Sequence, residues 1–143
     1  MVRSCSSCGQ KNRIPAAHLA DIGRCGACKQ ALPPISEPLD VTEAEFNEIT
    51  QQAKVPVLID FWAAWCGPCR AAAPEVKKAA QELAGEALVL KVNTEAQPRL
   101  AQQFRVSSIP NFMVMSQGRV VKQQAGLMPA RQLAAMALAA RNP

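Results

Sequence analysis

The sequence predicts an α/β domain over residues 39–143, preceded by a small cysteine-rich module at 1–32 and a proline-rich linker at 33–38. Three observations carry this prediction. Two nearly unbroken apolar runs, Val57–Trp62 and Leu88–Asn93, have the length and composition of strands buried on both faces. Helix-forming segments lie before, between and after them, the alternation of an α/β plan. Residues 1–32 hold four cysteines but few large apolar side chains, so this piece is too poor in core to fold without a metal or disulfides.

The elements follow in chain order. Leu39-Asp40-Val41 reads as a short strand. Thr42-Glu43-Ala44-Glu45 fits a capping box, with Val41 and Phe46 placed as a hydrophobic staple, and opens a helix to Gln52. Val57–Trp62 is a buried strand interrupted by one acid, Asp60. An alanine-rich helix runs from Pro68 to Ala84, with Pro74 placed to kink it. Leu88–Asn93 is the next buried strand. Pro98 starts a short helix carrying Leu100, Ala101 and Phe104 on one face. Asn111–Met115 and Arg119–Lys122 flank Ser116-Gln117-Gly118, a hairpin signal. Pro129 opens a last helix through Leu133, Met136, Ala137 and Ala140. With no tyrosine and two tryptophans, the core is expected to be aliphatic.

The net charge of +5 is uneven. Residues 1–36 carry five basic residues against Asp21 alone, a net +4. A basic appendage suits nucleic acid, yet 1–36 offer no aromatic side chain for bases to stack on, which argues against that partner. The alternative is that the cations offset a cluster of thiolates. No apolar run reaches the roughly 18 residues of a membrane span, so no membrane partner is expected. No apolar stretch follows Arg3 as in a secretory signal. The expected setting is therefore the reducing cytoplasm, where paired cysteines read as metal ligands or catalytic dithiols.

The six cysteines form three Cys-x-x-Cys pairs of two kinds. Cys5, Cys8, Cys25 and Cys28 have the spacing C-x2-C-x16-C-x2-C of a four-thiolate zinc site. Gly9 and Gly26 permit tight turns that aim backbone N–H groups at sulfur. Four cysteines close a tetrahedron, which favours one structural ion over a catalytic one and leaves His18 as a surface residue; iron also suits such a set. Two further redox dithiols are the other reading, but neither pair has a buried strand before it or a helix after it. Cys66 has both. At a helix start its thiolate meets free N–H groups and the positive end of the helix dipole, and Arg70 adds charge. Cys69 lies one turn on and is placed to resolve a mixed disulfide.

The string Asp60-Phe61-Trp62-Ala63-Ala64-Trp65-Cys66-Gly67-Pro68-Cys69, with Lys91, Ile109-Pro110 and Gly126, closely resembles the thioredoxin family over Leu39 to Ala140. The preceding four-cysteine module and Asn12-Arg13-Ile14-Pro15 resemble its thioredoxin-2 subfamily. The resemblance implies a thioredoxin fold, a central mixed sheet flanked by helices, and a protein-disulfide reductase with no bound organic cofactor. It implies that Cys66 attacks, that Cys69 resolves, that Asp60 takes a proton from Cys69 through water and that Lys91 modulates Asp60. It implies a cis bond at Pro110 and a substrate surface of Trp65, Gly67, Pro68, Ile109, Pro110 and Gly126. Trp62 is assigned to core support. The implied partners are NADPH-dependent thioredoxin reductase and disulfide-containing proteins. Two alternatives stay open for the basic module: a tether to nucleic acid or protein, and a switch in which oxidation ejects the metal. The run Ala71-Ala72-Ala73 departs from the bulkier residues common in the family, which bears on partner preference.

Overall fold

The computed structural model describes residues 1–141. The elements are β1 (Val2–Ser4), β2 (Lys11–Arg13), a 3-10 turn (Ala16–His18), β3 (Gly23–Arg24), β4 (Ala31–Leu32), β5 (Leu39–Asp40), α1 (Glu43–Gln52), β6 (Val57–Trp62), α2 (Gly67–Glu82), β7 (Leu88–Asn93), α3 (Pro98–Gln103), β8 (Asn111–Ser116), β9 (Arg119–Ala125) and α4 (Ala130–Ala139). One mixed sheet has the order β5-β7-β6-β8-β9. The first three strands are parallel, β8 runs antiparallel to β6, and β9 runs antiparallel to β8.

Strand alternation sorts the core into two halves. Leu58, Val89, Phe112 and Val114 face α2 and α4, where Ala72, Val76, Ala79, Leu133 and Ala137 meet them. Asp60 and Lys91 are the next residues of that same face, two positions beyond Leu58 and Val89, and the register sets Asp60 beside Lys91. Val57, Ile59, Phe61, Leu90, Val92 and Met113 face the other way, onto α1 and α3. The second half is not purely aliphatic. Phe104 packs edge-on to Phe46 at 5.6 Å and tilted to Phe61 at 6.2 Å, so three of the four phenylalanines gather on one side of the sheet.

The local signals act as expected in most places. The Thr42 capping box is present in both directions, at 3.2 and 3.0 Å. Gln117 and Gly118 take positive φ in the β8–β9 turn, the geometry that matches strand twist. Helix α2 starts at Gly67, one residue before the expected Pro68, because Cys66 takes the N-cap. It ends at Glu82, not Ala84, where Leu83 leaves helical geometry and Gly85 turns at φ +83. Pro74 lies inside α2. Pro129 caps α4 without entering it. Strand β9 continues three residues past the expected Lys122. Gln123, Gln124 and Ala125 are exposed, as is the rest of this edge strand, so no apolar alternation announces them.

The N-terminal 32 residues form two short hairpins, β1–β2 and β3–β4, each closed by a cysteine knuckle. They do not hang free. Ala16, Leu19 and Ile35 are buried in the α1 half of the core with Phe46 and Ile49. The Ile35 N–H donates to the Leu19 carbonyl at 3.1 Å, which ties the 33–38 segment to the module.

Candidate active site and metal centre

Cys66 is the N-cap of α2 and is joined to Cys69 in a disulfide, with Cα atoms 5.2 Å apart. The Cys69 N–H points at Cys66 Sγ at 3.1 Å, and the Arg70 N–H reaches the Cys66 carbonyl at 3.2 Å. A negative sulfur there meets an unpaired helix-start N–H group, the electrostatic setting that the sequence predicts. Gly67 and Pro68 are exposed at the first turn. Both sulfurs lie in a small cluster with Ala63, Trp62 and Ile109. Arg70 does not reach the dithiol; its guanidinium donates to the Ala64 carbonyl at 3.1 Å.

Ile109-Pro110 is a cis peptide, and the Ile109 carbonyl oxygen lies 3.7 Å from Cys66 Sγ. The Gly126 N–H donates to the Pro110 carbonyl at 2.9 Å, which brings the start of the β9–α4 loop beside the disulfide. Gly126 has φ +105, and a Cβ there would meet open space. The backbone angle therefore requires glycine, and no packing contact does. Trp65 is 66% exposed, its ring nitrogen held by Glu95. The six rim residues are thus drawn from three separate segments to one surface around Cys66. Glu95 carries no sequence signal; only the fold brings it to Trp65.

Beneath the disulfide, Asp60 is 2% exposed, and its Oδ1 has no hydrogen-bond partner among the described residues. Burial pushes its pKa up from 3.8 to about 7, partly offset by the Lys91 ammonium and reinforced by Asp40. A cavity of about 90 Å³ connects Asp60, Cys69, Lys91 and Trp62. The Trp62 ring nitrogen is buried and lacks a partner among the described residues. A space of this size has room for water, and two polar atoms without protein partners line it. Lys91 also sits over the Trp62 ring, 4.6 Å from its centroid, as a cation–π contact. Trp62 thus does more than support the core, the role that sequence alone gave it.

The second centre is built by repetition. In each hairpin the knuckle closes alike: Gly9 N–H to Cys5 carbonyl at 2.9 Å, and Lys29 N–H to Cys25 carbonyl at 3.0 Å. The residue at positive φ is Gly9 in the first and Lys29 in the second, not Gly26. The Gly26 N–H instead donates to Asn12 Oδ1 at 2.9 Å, and Asn12 Nδ2 reaches Cys25 Sγ at 3.6 Å. Asn12 braces one hairpin to the other, a role that its place in the sequence does not announce.

The four sulfurs lie within 4.8 Å of one another, with Cys5–Cys28 at 3.7 Å and Cys8–Cys25 at 3.6 Å. A tetrahedron with 2.3 Å metal–sulfur bonds has edges of about 3.8 Å, so the set fits one zinc ion. The thiol chemistry agrees. The N–H groups of Cys28 and Ala27 and the Asn12 amide push Cys25 down to about 6. The N–H groups of Cys8 and Ser7 lower Cys5. At Cys28 the Gln30 N–H favours the thiolate, but burial and the three neighbouring sulfurs prevail and push it up to about 11. Crowded sulfurs of this kind call for a cation at their centre. His18 stands apart, bonded to Asp21 at 2.7 Å.

A vicinal dithiol at a helix N-cap, facing a cis-proline and set above a buried carboxyl, defines the class: a thiol–disulfide oxidoreductase built on a mixed five-stranded sheet. Comparison with known proteins narrows it. The thioredoxin family model matches residues 37–139, and the model for the thioredoxin 2 N-terminal zinc ribbon matches residues 4–30. Thioredoxin C-3 of Corynebacterium nephridii is 40% identical over 93% of this chain and 90% of its own. The thioredoxin of Haemophilus influenzae is 39% identical over 70% of this chain and 94% of its own. A mutant thioredoxin from Halobacterium salinarum superposes with a TM-score of 0.69 at 28% identity, covering 76% of this chain and 94% of its own. The chain belongs to the thioredoxin family and matches its thioredoxin-2 subfamily, with the N-terminal zinc module.

Proposed function

We propose that this protein is a general protein-disulfide reductase, with Cys66 as nucleophile and Cys69 as resolving thiol. The observation that carries the reading is the cavity joining Cys69 to a buried carboxyl whose pKa is about 7. In the reduced protein the Cys66 thiolate attacks a substrate disulfide. A mixed disulfide forms, and one substrate sulfur leaves as thiolate. The Asp60 carboxylate accepts the Cys69 proton through water in the cavity. The Cys69 thiolate then attacks Cys66 Sγ, the mixed disulfide breaks, and the second substrate thiolate leaves. The Cys66–Cys69 disulfide is the product state. A base with a pKa near the working pH is matched to this proton transfer. Lys91 tunes that base by its charge.

Trp65, Gly67, Pro68, Ile109, Pro110 and Gly126 form the surface for an extended substrate segment, whose backbone pairs with Ile109 as a short β-augmentation. The substrates are disulfide-containing proteins, and NADPH-dependent thioredoxin reductase restores the dithiol. Cys5, Cys8, Cys25 and Cys28 hold one structural zinc ion, which folds the module and leaves no open coordination position. The residue ranges 1–32, 33–38 and 39–143 stand as the proposed division of the chain. The proposed setting is cytoplasmic; no helix among the described residues is long and apolar enough to cross a membrane.

The test is reduction of insulin disulfides with thioredoxin reductase and NADPH. Turnover in the wild type and its loss in Cys66→Ser support the reading. No turnover in the wild type, or full turnover in Cys66→Ser, refutes it.

A further inference from the structure

The cysteine-rich module carries a groove of about 300 Å³ remote in sequence from the dithiol. This volume lies at the low end of ligand-binding pockets. Its walls are Ile14, Pro15, Ile22 and Leu32, and Arg3 and Arg24 stand beside them. Ile22 is 74% exposed. One exposed isoleucine is ordinary, but this one extends an apolar wall instead of standing alone.

The two arginines are held in place. Arg3 Nη1 donates to the Pro33 carbonyl at 2.6 Å, and Arg24 Nη1 donates to the Lys29 carbonyl at 3.3 Å. Each guanidinium keeps further N–H donors, and neither forms a salt bridge among the described residues. Asp21 is the only acid in residues 1–36 and is engaged by His18 at 2.7 Å. The groove is therefore apolar inside, and its charged lining sets two guanidiniums against one carboxylate, Asp21, which leaves the margin net positive. Fixed guanidinium forks match carboxylates and lose little entropy on pairing.

We propose that this groove docks an acidic peptide segment with an aliphatic anchor, presented by a partner protein. Leucine or isoleucine side chains of the segment enter between Ile14 and Ile22, and flanking Asp or Glu side chains pair with Arg3 and Arg24. Docking of this kind lets the module select partners independently of the dithiol. Nucleic acid fits the groove poorly, because its walls are mostly aliphatic and its single ring, His18, is bonded to the Asp21 carboxylate.

The experiment uses the full-length, zinc-loaded, oxidised protein, labelled with 15N. It is titrated with a seven-residue peptide that carries a central Leu-Leu pair flanked by Glu and Asp. The expected result is saturable amide shifts at Ile14, Ile22, Gly23, Arg24 and Leu32, weakened by salt. Affinity falls about tenfold in Ile22→Ser and in the double variant Arg3→Glu/Arg24→Glu, with zinc content and thermal unfolding as controls for an intact fold. The peptide with Lys in place of Glu and Asp does not bind. Four results overturn the proposal: no saturable shifts at millimolar peptide, shifts centred on Trp65 and Ile109, equal binding of the lysine peptide, or tighter binding of single-stranded RNA at the same salt. Unchanged affinity in both variants, with the fold intact, overturns it as well.

Discussion

Replacing Asp60 by Asn stabilises the oxidised protein, and the gain grows with pH. Below about pH 3.8 the carboxyl is neutral in both folded and unfolded chains, so Asn and Asp differ little. Between 3.8 and about 7 the unfolded chain releases the proton while the folded one retains it, and wild-type stability falls as pH rises. Above about 7 both states are ionised and the penalty is constant. At about 1.36 kcal/mol per pH unit between the two values, the plateau is roughly 4 kcal/mol. Asp60 is 2% exposed, so solvent screening takes little from this figure. The assay is guanidinium unfolding of both proteins at pH 4, 6 and 8. The expected excess stability of Asp60→Asn is small at pH 4 and reaches its plateau at pH 8. Its insulin reduction slows by on the order of 10²-fold, the low end for a positioned acid–base group. Parallel pH–stability curves for the two proteins would refute the argument that burial raises this pKa.

Three further outcomes test neighbouring parts of the structure. Lys91→Met removes the charge that lowers the Asp60 pKa, so the Asp60 titration followed by carboxyl 13C NMR moves above about 7; no movement contradicts the electrostatic coupling. Cys69→Ser leaves Cys66 able to attack but unable to be released, so a mixed disulfide with substrate accumulates on non-reducing gels; turnover at the wild-type rate contradicts the assignment. Leu19→Ala opens a hole where the module meets Phe46 and Ile49, at a cost of about 2–4 kcal/mol in global unfolding. A loss confined to the module, with the main transition unmoved, contradicts the shared core.

Much of this molecule was legible in its sequence because its signals are local. The Thr42 capping box needs only four residues. The Val57–Trp62 run needs only its apolar content to be a doubly buried strand. The spacing of Cys5, Cys8, Cys25 and Cys28 limits how four sulfurs can meet. Cys66 at a helix start follows from the strand before it and Pro68 after it. What was missed has no local signature. The strands of the module are two or three residues long and exist because the knuckles close them. Lys29 takes a left-handed turn that a glycine search does not find, and Asn12 acts across two hairpins.

The side chains proposed to carry chemistry, and the elements they sit on, can be read from short stretches of sequence, because propensity, periodicity and cysteine spacing operate locally. How far apart they act depends on long-range packing. The face alternation of β6 and β7 sets Asp60 and Lys91 side by side under α2. A cavity opens between them and Cys69, and the buried Trp62 ring nitrogen has no partner among the described residues. The burial of Ala16, Leu19 and Ile35 against α1 makes the module part of the main core. These are products of long-range packing, where the energy belongs to surfaces that meet only after the chain has folded.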